Sequence, residues 1–172
     1  MAKTYRTKGY VIAAEDEATF GLLPTVVRGW AKKGKRPTAI VNYQYNKTNV
    51  FGARSAKTFV YQFSKKKTQK TYVRFLKKLQ KRWGRVCLFA DNARWHRGKL
   101  VDEFLHSHQK TFKVFFFPKY SPELNPVEPC WKPARRKLGN RLLHTIPTME
   151  YHLRNVFNKP KTMPKMFKYL TD

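Results

Sequence analysis

The chain has 172 residues, of which 37 are Lys or Arg and only ten are Asp or Glu, so its formal net charge is +27. Hydrophobic residues make up 41% of the chain and aromatic residues 15%, which excludes a disordered basic tail and allows a sizeable core. Because Lys and Arg neutralise phosphates, this charge predicts a nucleic-acid partner, although charge alone does not exclude a compact ribosomal protein.

The two cysteines, Cys87 and Cys130, are too few for a disulfide framework. They are predicted to be buried free thiols of a reducing compartment. No apolar run is long enough to span a bilayer, and the N-terminus has no signal-peptide pattern. We therefore expect a cytoplasmic, nucleoid-associated protein with no membrane partner.

The first third of the chain has the pattern of an antiparallel meander. Residues 9–14 predict a strand that enters the core and ends at three consecutive acids, residues 15–17. Runs rich in β-forming residues then predict further strands at 38–45, 50–53 and 58–63. Turn residues separate these runs, as strands joined by short connections require.

From residue 68 onward, the pattern changes to alternating helices and strands. Apolar residues at helical spacing predict an amphipathic helix at 68–83, and the continuous apolar run 86–90 predicts a buried central strand. The same reasoning gives a helix at 98–108, a strand at 112–117, a helix within 122–143 and another at 148–157. The order predicts a mixed α/β sheet covered by helices.

Three acidic residues occupy places that suit a cation site. Asp91 directly follows the central strand, where ligands bind in α/β sheets, and Asp16 follows the first strand in the same way. Glu128 lies at the start of the predicted helix, after Asn125. If the two strands are neighbours, their carboxylates converge. Alternatively, both aspartates are turn or N-cap residues and Glu128 completes a capping box with Asn125.

The sequence around these acids resembles the DDE-type transposases of the mariner superfamily, especially the prokaryotic insertion-sequence branch. The resemblance covers about residues 8–158. Its most specific part is the run Phe-Pro-Lys-Tyr-Ser-Pro-Glu-Leu-Asn-Pro-Val-Glu at 117–128, followed by Trp131. The other motifs are Asp16-Glu17 with Phe20, Arg28-Gly29-Trp30 with Lys33-Gly34, and Asp91-Asn92-Ala93 with His96.

The resemblance implies a ribonuclease-H-like fold, a mixed five-stranded sheet with helices on both faces. It also implies that Asp16, Asp91 and Glu128 are the catalytic residues and hold two Mg²⁺ or Mn²⁺ ions. Such a site would cleave DNA and then join the freed 3′-hydroxyl to target DNA, because both steps substitute at a phosphodiester. Beside these ligands, Asn92, His96 and Glu17 are expected to support them, and Trp131 is expected to pack in the core.

The implied partners are the transposon ends and a target duplex, with a homodimer as a further expectation. We expect residues 1–158 to form the catalytic domain and 159–172 a basic extension. The N-terminal helix-turn-helix domain of such transposases is absent from this sequence, so it would belong to a separate or fused subunit. Residues expected to contact DNA are basic or aromatic: Arg28, Trp30, Lys33, Lys35, Arg36, Arg94, Lys119, Arg135 and Arg136.

Two other functions stay open at this point. One is a ribonuclease-H-like nuclease or resolvase that cleaves DNA without strand transfer. The other is a catalytically inactive DNA-binding protein descended from such an enzyme, in which the basic surface is kept and the acids have no role.

Overall fold

One five-stranded sheet organises the chain. The computed structural model describes residues 2–23, 26–28, 30–35, 38, 40, 43–119 and 121–159. Its strands in chain order are β1 (Val11–Gly21), β2 (Lys47–Ser55), β3 (Phe59–Ser64), β4 (Val86–Ala90) and β5 (Phe112–Phe116), and their order across the sheet is β3-β2-β1-β4-β5. Antiparallel pairing joins β1, β2 and β3, and parallel pairing joins β1 to β4 and β4 to β5. The predicted mixed sheet with an antiparallel meander is therefore confirmed.

Five α-helices accompany the sheet within the described residues: α1 (Ala2–Thr7), α2 (Gln69–Trp83), α3 (Lys99–Ser107), α4 (Trp131–Leu138) and α5 (Ile146–Phe157). The Thr68 side chain caps α2 by accepting the Thr71 amide hydrogen, and α2 ends at Gly84, whose φ of 72° few other residues adopt. None of the described helices is both long and apolar enough to cross a membrane.

Helices cover both faces of the sheet, as predicted. Successive side chains of a strand point to opposite faces, so Ala13 lies in one core cluster and Ile12 and Ala14 lie in the other. The Ala13 face packs against α2 and α3. The Ile12 face packs against α4 and α5. These two layers place α4 and α2 on opposite sides of the central strands.

The strand predicted at 38–45 is wrong for the residues that can be compared. Thr38, Ile40 and residues 43–45 are described, and none of them belongs to a strand. Ile40 is 79% exposed and Tyr45 is 81% exposed, so burial against a core does not stabilise this run. Propensity for strands reflects packing on a half-buried sheet, and β2 begins instead at Lys47, where the meander supplies that packing.

The helix predicted within 122–143 forms, but it begins later than expected. The chain forms two short 3₁₀ turns, Pro122–Leu124 and Glu128–Cys130, before α4 begins at Trp131. Pro126 and Pro129 have no amide hydrogen to donate, so they cannot continue a ladder of helical hydrogen bonds. The motif that contains Glu128 is therefore a compact loop that leads into α4.

Both cysteines are buried and free, as predicted. Burial raises the pKa of the Cys87 thiol to about 11 and that of Cys130 to about 12. Each thiol therefore stays protonated and packs as a small apolar side chain at neutral pH.

Candidate metal centre

Strand register brings the first two acids together. The parallel pairing of β1 with β4 runs from Val11 beside Val86 to Ala14 beside Phe89. Two residues further along each chain stand Asp16 and Asp91. Asp16 does not end its strand as predicted, because β1 continues to Gly21 in pairing with β2. It is β4 that ends here, and the carboxylates meet at the edge where β1 loses this neighbour.

Asp16, Asp91 and Glu128 line one pocket of about 410 Å³. Three distant parts of the sequence thus contribute a carboxylate to the same cavity. Lys119 is the cationic residue of the lining, and the remaining members are neutral: Asn92, Ala93, Phe117, Pro118, Ser121 and Asn125. The structure therefore brings together the three acids that the motifs single out.

Asp16 is held in place by Trp131. The residue is only 8% exposed, and its Oδ2 accepts a hydrogen bond of 2.6 Å from the indole Nε1 of Trp131. Burial raises the pKa of Asp16 to about 7, the nearby Glu128 carboxylate acts in the same direction, and the Trp131 hydrogen bond opposes both. A cation in the pocket would favour the charged form of Asp16.

The close approach of Trp131 depends on a glycine. Gly52 of β2 pairs with Asp16, and a Cβ at position 52 would lie 2.5 Å from Cη2 of Trp131 and 2.8 Å from Cζ of Phe59. Trp131 is buried, as predicted, with its ring packed edge-on against Phe20, Phe59 and Phe157. Its hydrogen bond to Asp16 is a contact that the sequence did not reveal.

Asp91 is more exposed than Asp16, with 49% of its side chain accessible. Its Oδ1 accepts the amide hydrogen of Ala93 at 2.9 Å and lies 2.9 Å from Nδ1 of His96. Burial alone would raise the pKa of Asp91, but these two hydrogen bonds hold it below its ordinary value. Within the described residues, the other oxygen, Oδ2, makes no hydrogen bond.

A buried cluster of charged residues lies behind Asp91. His96 Nε2 is 2.8 Å from Glu17 Oε1 and 3.5 Å from Glu15 Oε2, and all three side chains are at most 3% exposed. Trp95 donates a further hydrogen bond to Glu17 Oε1 at 2.6 Å. Burial by itself would lower the pKa of His96, but Glu15, Asp91 and Glu17 together raise it to about 11. His96 is therefore a buried imidazolium among carboxylates.

Glu15 differs from Glu17 and Asp91 because its carboxylate is buried without a hydrogen-bond partner among the described residues. Its side chain is fully buried, and burial, together with the Glu17 charge, raises its pKa well above the ordinary value. Both carboxylate oxygens lack a hydrogen-bond partner among the described residues. The protonated imidazole of His96 is the cation that compensates this group.

Asn92 holds the Asp91 loop in place. Its side-chain amide donates to the carbonyl of Phe117 at 2.8 Å, and its Oδ1 accepts from Arg97 at 2.7 Å. The first bond ties the loop after β4 to the segment after β5. Asn92 therefore lines the pocket while its amide is used to fix the pocket wall.

Glu128 is an exposed residue that enters the pocket from the 3₁₀ turn Glu128–Cys130. Within the described residues its carboxylate makes no hydrogen bond, so the capping box with Asn125 does not form. Asn125 instead donates to the carbonyl of Glu15 at 2.9 Å and accepts the amide hydrogen of Val127 at 3.1 Å. This asparagine fastens the Glu128 loop to β1, and no helix cap competes for Glu128.

The donor set fits a hard divalent cation. Carboxylate oxygens of Asp16, Glu17 and Asp91 lie within 4.8 Å of one another, and Glu128 lines the same cavity. Mg²⁺ and Mn²⁺ prefer oxygen ligands of this kind. Glu17 approaches this group although its side chain starts on the opposite face of β1, where it bonds His96 and Trp95.

Among the described residues expected to contact DNA, Lys119 alone lines this pocket. Arg28, Trp30, Lys33, Lys35 and Arg94 are exposed elsewhere on the surface, and Trp30 is fully accessible. The guanidinium of Arg135 lies 5.6 Å from the ring centre of Phe20, whereas Arg136 lines a separate groove. Arg36 lies outside the described residues.

Comparison with known proteins shows similarity to transposable-element proteins. A protein of Shigella sonnei, described as the insertion element IS630 uncharacterized 39 kDa protein, is 27% identical over 123 residues. The matched region covers 69% of this chain and 36% of that protein. The chain thus spans about a third of the length of this relative.

Solved structures of Mos1 transposase share the fold. The paired-end complex with the left transposon end superposes with a TM-score of 0.70 at 20% identity, over 94% of this chain and 53% of that chain. The catalytic domain of Mos1 mariner transposase gives a TM-score of 0.65 at 19% identity, over 94% and 78% of the two chains. The predicted ribonuclease-H-like fold is confirmed by this likeness. Residues 12–150 match the DDE superfamily endonuclease family, and the chain belongs to that family.

Proposed function

We propose that this chain is the catalytic domain of a DDE transposase, which cleaves DNA and joins the cut end to a target duplex in the presence of a divalent metal. One observation carries the proposal: Asp16, Asp91 and Glu128 line a single pocket in a chain whose net charge is +27. The Mos1 structures of the same fold include paired-end complexes with Mg and with Mn, and a strand transfer complex.

Asp16, Asp91 and Glu128 are the metal ligands in this proposal, and the family resemblance leads us to expect two ions. Bound Mg²⁺ or Mn²⁺ would supply Lewis acidity and neutralise charge at the scissile phosphate. The protein would supply the geometry: Trp131 fixes Asp16, and His96 fixes Oδ1 of Asp91 so that Oδ2 stays available. Glu17 in turn anchors His96.

Cleavage and joining follow from one geometry. In cleavage, a water oxygen attacks the phosphorus and the 3′-oxygen leaves, taking up a proton as the hydroxyl forms. In joining, that 3′-hydroxyl loses its proton and its oxygen attacks a target phosphorus, while the bond from this phosphorus to the target's own 3′-oxygen breaks and that oxygen takes up a proton. Both reactions substitute at a phosphodiester, so one arrangement of carboxylates serves both.

The domain limits and the larger assembly are part of the proposal. We assign residues 1–158 to the catalytic domain and treat 159–172 as a basic extension. Transposon ends and a target duplex are the proposed DNA partners. Recognition of specific ends would fall to a helix-turn-helix subunit, and pairing of two ends to a homodimer.

Nicking of supercoiled plasmid tests the catalytic assignment. With Mn²⁺, the unaltered chain is expected to convert supercoiled plasmid to nicked circles. Asp91→Asn should reduce that rate by at least about a hundredfold, because a hard ligand charge is lost at nearly constant shape. Asp102→Asn is the matched control, since Asp102 is an exposed acid of α3 that lies outside the pocket.

Two outcomes would favour the other functions. A labelled oligonucleotide with a free 3′-hydroxyl should become joined to the target plasmid; nicking without joining would indicate a nuclease or resolvase. Salt-sensitive DNA binding without any Mn²⁺-dependent nicking, equal in the unaltered chain and in Asp91→Asn, would indicate an inactive DNA-binding protein.

A further inference from the structure

A groove of about 1240 Å³ lies between α4 and α5, apart from the acidic pocket. Its lining is strongly basic and contains no acidic residue among the described residues. The cationic members, which define what we call the basic groove, are Lys132, Arg136, Lys137, Arg141 and Lys159, with His152 beside them. Such a concentration of one sign of charge in a concave surface focuses the field on an anionic partner.

The basic groove begins close to the candidate catalytic site. Helix α4 follows directly on the turn that carries Glu128, and its first residue, Trp131, bonds Asp16. Lys132 comes next and lines the groove, with Arg136 one turn further along the same face. Four helical residues rise about 6 Å, so Lys132 and Arg136 lie about 6 Å apart along α4, in the direction that leads away from the pocket.

The charge of the chain decides which partner fits. Only ten residues are acidic, and five of them, Glu15, Asp16, Glu17, Asp91 and Glu128, surround or lie behind the acidic pocket. A second copy of a chain with a net charge of +27 would be repelled from the groove, and no segment of this chain is acidic enough to neutralise it. A polyanion of phosphates matches the charge of the groove.

We propose that the basic groove holds the phosphodiester backbone of the DNA strand next to the bond that is cut. This inference rests on the proposed function for the position of the cut, and on the basic lining of the groove for the binding. The contacts are to phosphates, so they position the DNA without reading its sequence.

Two matched triple variants test the groove. Lys132→Ala, Arg136→Ala and Lys137→Ala remove one Arg and two Lys from α4. The control, Arg74→Ala, Lys77→Ala and Lys81→Ala, removes the same residue types from exposed positions of α2 on the opposite face of the sheet. Both triples have the same net charge, so long-range electrostatic attraction falls equally in the two proteins.

Binding to a labelled duplex is measured by fluorescence anisotropy over a range of salt concentrations, without metal. Each lost phosphate contact lowers the slope of log K against log salt by about 0.9. The groove triple should therefore lose about 2–3 units of slope and bind roughly tenfold more weakly at 0.1 M salt, while the α2 triple loses less than about one. Equal losses in the two triples would overturn the proposal.

Two further measurements separate the possible failures. Circular dichroism verifies that each triple variant is folded. If the groove triple does not fold, the single variants Lys132→Gln and Arg136→Gln take its place, and each should lose about one unit of salt slope. The binding assay contains no metal, so it does not depend on cleavage. Loss of binding in the groove triple together with absent nicking in the unaltered chain would support the groove and contradict the proposed function. Normal nicking by the unaltered chain, together with equal losses of DNA binding in the two triple variants, would support the proposed function and contradict the groove.

Discussion

His96 is the buried cation on which the acidic residues behind the site depend. It contacts Glu15, Glu17 and Asp91, and its ring packs 4.3 Å from the ring centre of Tyr72. Buried charges are tolerated when they are paired, and removing one partner leaves the others uncompensated. His96 therefore stabilises the fold while it orients Asp91, and these two roles predict different measurable effects.

Replacing His96 by Ala should lower the free energy of unfolding by about 3–5 kcal/mol, because the buried carboxylate of Glu17 would lose its cationic partner. Urea denaturation measures this loss. His106→Ala is the control, since His106 is an exposed residue of α3, and it should change the free energy by less than about 0.5 kcal/mol. A loss below about 1 kcal/mol in His96→Ala would show that the imidazolium does not carry this compensation.

At this scale, the sequence was informative about position and less so about contacts. The motifs singled out Asp16, Asp91 and Glu128, and the structure places all three on one pocket. The hydrogen bond from Trp131 to Asp16 was not predicted, because it depends on how closely α4 approaches the sheet. That distance is set by the missing side chain at Gly52, a relation between residues far apart in the chain.

At the scale of the elements, β2 and α4 pack so closely that there is no space for a side chain at Gly52 between them. The ring of Trp131 occupies the place where a side chain at position 52 would lie. Interiors are packed at nearly crystalline density, so the ring cannot yield without displacing its aromatic neighbours. The position of α4, and with it the Asp16 hydrogen bond, thus depends on a glycine in the neighbouring strand.

Gly52→Ala should destabilise the protein by about 1–3 kcal/mol and also slow Mn²⁺-dependent nicking, because Trp131 must move away from Asp16. Denaturation and plasmid nicking are measured on the same preparation. Gly21→Ala is the matched control in β1, where an added Cβ would meet its nearest atom at 3.8 Å. If Gly52→Ala behaves as Gly21→Ala does, the packing of Trp131 is looser than the structure indicates.

Elements with a clear local hydrophobic pattern were predicted correctly, whereas the strand at 38–45 and the start of the helix within 122–143 were not. The apolar stripe of α2 and the apolar run of β4 are local signals, and both elements form within two residues of the expected limits. Residues 38–45 have strand propensity, but the described ones among them lack a neighbouring strand. In the loop before α4, the hydrogen bonds of Asn125 and the two prolines outweigh helix periodicity.

At the scale of the whole molecule, the chain is strongly basic but gathers three carboxylates on one pocket. These carboxylates repel one another, and a bound cation would reduce that repulsion. Burial raises the pKa of Asp16, and the nearby carboxylates of Glu128 and Glu17 act in the same direction. A ligand that binds the folded chain but not the unfolded chain stabilises it by mass action. Divalent metal should therefore act on stability as well as on chemistry.

Mn²⁺ at about one hundred times its dissociation constant should stabilise the chain by about 2.7 kcal/mol, which corresponds to a rise in Tm of about 5–10 °C. Asp91→Asn and Glu128→Gln should lose most of this rise, since each removes one ligand charge. Glu103→Gln, at an exposed acid of α3 outside the pocket, should keep it. An equal rise in all four proteins, measured by differential scanning calorimetry, would mean that Mn²⁺ binds elsewhere.

The register of β1 against β4 also determines which insertions and deletions leave the acidic pocket intact. Asp16 and Asp91 meet because two strands pair in step, so one residue inserted inside β4 would turn the Asp91 carboxylate to the other face of the sheet. Residues added to the connections between strands leave that pairing intact. Related proteins can therefore differ widely in the number of residues between their acids while keeping the same site, and strand ends identify distant relatives better than fixed spacing does.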